Sequence, residues 1–148
     1  MVSYDYFVGS FLSRITEYEL LNLNSTNRQE LVDGYLHNSI SAFKHVCKVD
    51  LISTDDAENR QFNISIPKGD LDEIVDIVAE GMVVQWLKQY IYQQELLQNT
   101  LNTKDFSTYS PAELLLRVNN AYADAKKNHT QMIREYSYNH GDLTRLHL

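Results

Sequence analysis

The sequence predicts a mainly α-helical protein, a four-helix bundle built on a long antiparallel helical hairpin, with one short extended β segment and a C-terminal tail. Only two prolines and five glycines occur in 148 residues, which leaves room for long helices and too few turns for a β-sandwich or barrel. Hydrophobic residues make up 43% of the chain, enough for one core. Four segments repeat apolar residues with the helical period. We therefore expect one domain, residues 1–138, and a tail, residues 139–148.

The first two predicted helices flank a polar link at residues 22–27. The first should span residues 4–15, because apolar positions recur there every three or four residues, and the Ser3 hydroxyl is the expected N-cap acceptor. The second should begin at residue 26 or 27, since Asn27 opens a capping-box pattern. Its apolar stripe predicts an end near Val49.

A short alternating segment follows the second helix. Phe62, Ile64 and Ile66 alternate with polar residues, which is the period of a half-buried strand, and Pro67 ends the segment. One strand alone leaves backbone groups unpaired along both edges. The segment must therefore pair with another chain, lie on the helices, or be merely extended.

The predicted third helix is the central one. It should begin at Asp70, where a second capping box fits, and reach about residue 97. Apolar residues form a wide band between positions 71 and 91, which indicates neighbours on most sides, and Trp86 should lie in the core. Gly81 costs about 1 kcal/mol relative to alanine within a helix, so we interpret it as a close helix–helix approach.

The fourth predicted helix begins with Ser110 as N-cap and Pro111 at the first helical position. It should end at residues 139–141, where Gly141 can adopt a left-handed cap. Its length matches that of the third helix and one loop joins them, which favours an antiparallel hairpin. Steps of three and four residues define its apolar stripe: Leu115, Val118, Tyr122, Ala125, His129, Met132 and Tyr136.

The sequence shows no pattern typical of a catalytic or metal site. The glycines are too scattered for a phosphate-binding loop, and a single cysteine, Cys47, excludes cysteine-based zinc sites. His37 and His45 lie about 12 Å apart on a helix, too far for one metal ion. Helix capping and a solvated loop explain the acidic pairs. We therefore expect no enzyme activity, no cofactor and no metal.

Charge is unevenly distributed along the chain. The net charge is −7, and residues 117–148 hold five basic and three acidic residues, which leaves −9 for residues 1–116. An acidic body with a basic end could dock head to tail on a copy of itself or on an acidic partner, or it could be only a lopsided solvated surface. A basic nucleic-acid-binding surface is not expected, and no run reaches the roughly 20 apolar residues of a membrane span.

Tyrosine is abundant, with ten residues in the chain. Tyr136 and Tyr138 are two positions apart, so on a helix their side chains point about 200° apart and can hardly enter one small core. Tyrosine is enriched at protein interfaces. We therefore expect this pair to contact another protein, the simpler alternative being tyrosines that cover the edges of their own domain.

Three stretches of the chain resemble head–tail connector proteins, the adaptor or neck proteins of tailed bacteriophages. Residues 72–87 (DEIVDIVAEGMVVQWL) resemble their central helix. Residues 104–112 (KDFSTYSPA), before a long helix, and residues 136–143 (YSYNHGDL), at its end, resemble the corresponding parts of the same family. The resemblance covers residues 70–143, and over residues 1–69 only the order of elements agrees.

The resemblance implies a structural protein made in the host cytoplasm and placed in the virion neck, between capsid portal and tail. Such adaptors form a dodecameric ring on the portal, extend the DNA channel without sequence-specific contact to the passing genome, and bind a downstream neck or tail protein, with no membrane involved. The residues it implies for portal binding are Tyr136, Tyr138, Asn139, His140, Leu143, Arg145 and Leu148. Those implied for subunit contacts are Phe62, Ile64, Ile66, Phe106 and Tyr109.

Two other function classes stay open. A generic helical interaction or regulatory protein would be a stable monomer or dimer without affinity for a portal. A small enzyme would need a pocket with titratable side chains whose pKa values are perturbed.

Overall fold

The computed structural model describes residues 1–15, 28–101 and 111–140, and within them the side chains of residues 1–15, 29–92 and 116–140. The described elements, in chain order, are β1 (Val2–Ser3), α1 (Tyr4–Ile15), α2 (Arg28–Phe43), β2 (Asp55–Asp56), β3 (Gln61–Phe62), α3 (Lys68–Leu101) and α4 (Pro111–His140). The predicted mainly α fold with a short β segment is therefore confirmed. The predictions outside the described residues concern the link 22–27, the caps Asn27 and Ser110, and Phe106, Tyr109, Leu143, Arg145 and Leu148.

Helix α1 has the predicted bounds, and α2 is shorter than predicted. The amide of Asp5 donates to the Ser3 hydroxyl at 3.2 Å, the expected N-cap bond. Helix α2 ends at Phe43 rather than near Val49. The amide of Lys48 donates to the Tyr136 hydroxyl at 3.1 Å, so a tertiary bond replaces the helical one there.

The predicted extended segment is the centre of a small sheet within this chain. Strand β3 pairs antiparallel with β1 on one side and with β2 on the other, Phe62 facing Val2 and Asp55. The strand covers only residues 61–62, because the Ile64 amide donates to the Phe62 carbonyl at 2.9 Å and turns the chain. The prediction of a strand reaching residue 66 is therefore wrong, and β3 does not need a partner from another chain.

The side chains of this segment are also turned inward. Phe62 is fully buried, with its ring centroid 5.1 Å from that of Tyr4 and 5.5 Å from that of Phe7. Ile64 and Ile66 are half-buried against the same core. The prediction of Phe62 as a subunit contact is wrong, because α1 already covers its ring.

Helix α3 is the central element, as predicted, and it packs against α1, α2 and α4. Trp86 and most of the apolar band are buried. The helix begins before the predicted Asp70, since the Leu71 amide donates to the Pro67 carbonyl at 2.8 Å. The capping box at Asp70 is therefore wrong, although an acid in the first turn still suits the helix dipole.

Helices α3 and α4 form the predicted antiparallel hairpin. His140 at the end of α4 contacts Glu73 near the start of α3, and His129 packs beside Gly81 further along both helices. Helix α4 continues through Asn139 and His140, so these two residues belong to the helical body and not to a tail. Among the residues that the structure describes, no helix is apolar over a length that would cross a bilayer.

Candidate partner-binding surface

Over residues 116–140, helix α4 is buried along one narrow stripe, half-buried beside it and exposed on the opposite face. Its buried side chains recur four or seven residues apart and face α3, as the apolar stripe predicted: Val118, Ala125, His129 and Tyr136. The main contacts of α4 within the described residues are with α3. A long helix with one principal neighbour leaves a wide face for another molecule.

Tyr136 belongs to the buried stripe and not to the surface. Its side chain is only 2% exposed, with ring centroids 5.0 Å from Phe43 and 4.4 Å from His140. Its hydroxyl accepts the Lys48 amide, and burial raises the pKa of the phenol. The expectation that Tyr136 contacts a partner is therefore wrong for this conformation, because the ring joins α4 to the end of α2.

His140 also serves the chain's own packing. Its Nε2 atom lies 2.9 Å from Oε2 of Glu73, with the imidazole as donor because a carboxylate only accepts. The ring stacks on Tyr136. The last turn of α4 is thus fastened to the first turns of α3, and His140 has at most one edge free for a partner.

Among the implied portal-binding residues that the structure describes, Tyr138 and Asn139 lie on the surface. Tyr138 is 72% exposed and Asn139 is exposed. The i, i+2 geometry explains the contrast, since it turns the Tyr138 ring away from the buried Tyr136 ring. An exposed tyrosine on an anchored helix end has little conformational freedom to lose on binding.

A continuous exposed line runs along α4 opposite the buried stripe. We call it the outward stripe, and its members are exposed residues in steps of three and four: Leu116, Asn120, Ala123, Lys127, Gln131, Arg134 and Tyr138. Leu116 and Tyr138 are among the large hydrophobic side chains that are most exposed in the described structure. Sequence reasoning missed this line because a polar face carries no hydrophobic period, although its two apolar ends could have been noticed.

A buried polar crossing joins α2, α3 and α4 at Gly81. The Ser39 hydroxyl, the His129 imidazole and the neighbouring Glu80 carboxylate are all buried there. Ser39 donates to the Val78 carbonyl at 2.7 Å, whereas Nε2 of His129 has no hydrogen-bond partner among the residues that the structure describes. A nucleophilic serine needs the histidine as its hydrogen-bond acceptor, so this arrangement is packing and not a catalytic triad.

An arginine of α1 pairs with the carboxylates near this crossing. Arg14 contacts Glu80 at 3.0 Å and Asp76 at 3.1 Å. Burial lowers the pKa of His129, and the nearby Glu80 charge partly opposes the shift. The imidazole is therefore neutral at neutral pH.

A second polar cluster holds the sheet on the helices. The Tyr4 hydroxyl donates to Asp55, and Nε2 of His37 lies 3.0 Å from both the Tyr4 oxygen and Asp55. Burial and the bond to Asp55 raise the pKa of Tyr4. Arg60 packs over the Tyr4 ring and forms a two-bond pair with Asp33, at 2.8 Å each. A phenol with a raised pKa is a poor proton donor. We therefore interpret the cluster as a set of contacts that stabilise the packing of the sheet on the helices.

The described surface includes an open groove between α2 and α3. Its volume is about 430 Å³, and its lining is Glu30, Leu31, Gly34, Tyr35, Asn38 and Gln89. The Tyr35 hydroxyl donates to Gln89 at 2.9 Å across it, and burial raises the pKa of that phenol to about 12. Across residues 1–15, 28–101 and 111–140, no group of three histidine, cysteine or acidic side chains could hold a metal ion.

Comparison with known proteins gives no relative. No family model matches the chain, and neither a curated protein nor a solved structure matches it.

Proposed function

We propose that this protein is a head–tail connector of a tailed bacteriophage, a structural virion protein that binds the portal as an oligomeric ring and joins the capsid to the tail. The observation that carries the proposal is the end of α4, where Tyr138 and Asn139 are exposed on a helix that Tyr136 and His140 anchor. The resemblance of residues 72–87, 104–112 and 136–143 to this family supports the same role.

The anchoring matters because it presents the portal-binding surface in a fixed position. Tyr136 ties the last turns of α4 to α2, and the contact between His140 and Glu73 ties them to α3. Tyr138 is therefore held outward before any partner arrives, which lowers the entropic cost of binding. Leu143, Arg145 and Leu148 follow directly in sequence and extend the proposed portal contact.

The other proposed roles follow from the ring. Its subunits surround the DNA exit channel and make no sequence-specific contact with the passing genome. A net charge of −7 suits this role, because an acidic chain does not bind DNA phosphates tightly. The ring offers its far side to a downstream neck or tail protein. No catalysis is assigned, and the protein acts in the neck of the virion.

The experiment compares two exposed tyrosines. Tyr138→Ser and the control Tyr92→Ser, at a similarly exposed site on α3, are mixed with a purified candidate portal protein and followed by sedimentation velocity. We expect wild type and Tyr92→Ser to sediment with the portal and Tyr138→Ser to bind at least about tenfold more weakly, as for an aromatic residue at a binding hot spot. Circular dichroism checks that each variant is folded.

Two results would count against the proposal. Equal portal binding by all three proteins would remove Tyr138 from the contact. A wild-type protein that stays a monomer or dimer and ignores the portal would favour the alternative, a generic helical interaction or regulatory protein.

A further inference from the structure

Two cations of α4, Lys127 and Arg134, lack the carboxylate partners that Arg14 and Arg60 have within the described residues. Arg14 contacts two carboxylates and Arg60 contacts Asp33 and Asp5. Lys127 and Arg134, in the middle of the outward stripe, are exposed and form no ion pair within the described residues. The stripe therefore presents unpaired positive charge on a chain that is acidic overall.

An acidic surface of matching character lies elsewhere on the same chain. Residues 50–59, which we call the acidic turn, contain four carboxylates and no lysine or arginine. Hydrogen bonds from Ser53 and Asn59 lower the pKa values of Asp50 and Asp56 respectively, so both carry charge at neutral pH. Ile52, in the same turn, is 51% exposed.

We propose that the outward stripe of α4, from Leu116 to Arg134, docks on the acidic turn of a second copy of this chain, which leaves Tyr138 outside this contact and free for the portal. The charges are complementary, and each surface adds exposed apolar area, with Leu116 61% exposed on the stripe and Ile52 on the turn. Electrostatic complementarity of this kind fixes partner and register, and the apolar groups supply burial. The stripe cannot pair with itself in the same way, because its cations would meet.

The two surfaces lie on different elements, which decides the symmetry of the contact. The outward stripe points away from α3, whereas the acidic turn is held beside α1 and α2 through the contacts of Asp55 with Tyr4 and His37. Each copy can thus give one surface and receive the other. Such a heterologous contact closes into a ring when the rotation between copies permits. The inference therefore rests on the proposed function, because it names the interface between the subunits of the proposed ring.

A protein partner fits the stripe better than nucleic acid does. The stripe runs 22 residues from Leu116 to Tyr138, about 33 Å, and contains only Lys127 and Arg134 as cations. Duplex DNA carries a phosphate every 1.7 Å or so along its axis, which needs a denser array. The exposed Leu116 at the start of the stripe suits a protein surface.

The test changes the charge of each surface separately. Lys127→Glu with Arg134→Glu inverts the stripe. Ala57→Lys with Glu58→Lys changes the charge of the acidic turn from −4 to −1 at exposed positions and leaves the hydrogen-bonded Asp50 and Asp56 in place. Lys44→Glu with Lys88→Glu is the control, because it gives the same change of net charge as the stripe variant at exposed lysines outside α4.

Self-association of the pure protein is measured by sedimentation velocity over a range of concentrations and at low and high salt. We expect each surface variant to associate about tenfold more weakly than wild type, and the control to associate like wild type. An equimolar mixture of the two surface variants should regain association in the form of pairs, because the unchanged stripe of the turn variant can dock on the unchanged turn of the stripe variant.

Several outcomes would overturn the inference. These are a wild-type protein that stays monomeric at all concentrations, surface variants that associate like the control, a mixture that does not regain association, or charge-dependent retention of duplex DNA by the stripe without self-association. No portal protein is present in this experiment. Failure here therefore leaves the portal test of Tyr138→Ser standing, and failure of that test leaves this one standing.

Discussion

Replacing Gly81 with alanine tests the close approach of α2, α3 and α4 at this position. A Cβ atom at this position would lie 2.1 Å from the Ser39 hydroxyl oxygen, 3.1 Å from Ser39 Cβ and 2.8 Å from Nε2 of His129. Rotating the hydroxyl would break its bond to the Val78 carbonyl and would not move Ser39 Cβ. The substitution therefore forces α2 or α4 away from α3, or strains the buried side chains.

The expected magnitude follows from two opposing effects. Alanine stabilises a helix interior by about 1 kcal/mol relative to glycine. Overpacking a well-filled core costs about 1–3 kcal/mol, and the lost hydrogen bond of Ser39 adds about 1 kcal/mol. The lost hydrogen bond and the gain in helix propensity cancel, and we expect Gly81→Ala to lower the free energy of unfolding by about 1–3 kcal/mol.

The control uses another helical glycine. Gly9 is exposed on α1, and a Cβ atom there would meet nothing within 4 Å. Gly9→Ala should therefore raise the free energy of unfolding, by up to about 1 kcal/mol. Both variants are measured by urea denaturation with the fluorescence of the single tryptophan, Trp86, as the probe.

A second substitution tests the cause of the loss. Ser39→Gly removes the hydroxyl oxygen at 2.1 Å and the Cβ atom at 3.1 Å, so Gly81→Ala should cost much less in a Ser39→Gly background than in the wild type. The recovery of stability should be partial, because Nε2 of His129 would still lie 2.8 Å from the added Cβ atom. If Gly81→Ala were as stable as Gly9→Ala, the three helices would not meet as closely as the structure has them, and the reasoning would be refuted.

Two further substitutions test the core. His129→Leu should flatten the pH dependence of the free energy of unfolding below pH 6.5. Burial lowers the folded-state pKa of His129 below its ordinary value of 6.5, so the unfolded chain binds the proton more tightly than the folded protein does. The wild-type stability is therefore complete above pH 6.5 and falls as the pH drops toward the folded-state pKa. Urea denaturation at pH 5 to 8 measures this, and parallel curves for wild type and variant would contradict it. Trp86→Ala should cost about 3–5 kcal/mol by urea denaturation followed by circular dichroism, since the side chain is buried; a loss below about 1 kcal/mol would remove Trp86 from the core.

The helices could be predicted from the sequence because each repeats its apolar residues over many positions. The bounds of α1, the central place of α3 and its pairing with α4 followed from that period and from chain length. Strands of two residues have no period to detect, so the partners of Phe62 could not be found. The sheet pairs residues from separate parts of the chain, and the local sequence pattern does not show which parts will pair.

The candidate surface could be predicted only in part. The helical period placed Tyr136 on the inward stripe, the family resemblance implied an outward role, and the structure agrees with the period. The i, i+2 spacing required that Tyr136 and Tyr138 differ, but only the position of α3 decides which ring is buried. The exposure of the stripe with Lys127 and Arg134 depends on which elements pack against α4. The sequence pattern does not predict that packing.

The sheet has a consequence for the order of folding. Strands β2 and β3 belong to one hairpin, and their pairing closes a loop of only a few residues, whereas β1 joins residue 2 to residue 62. Closing the longer loop costs more chain entropy, so β1 should add to the sheet after the hairpin has formed and α1 and α2 have collapsed onto it. The burial of Val2 then marks the completion of the native state, and its amide should be among the late ones to gain protection in pulsed hydrogen exchange during refolding.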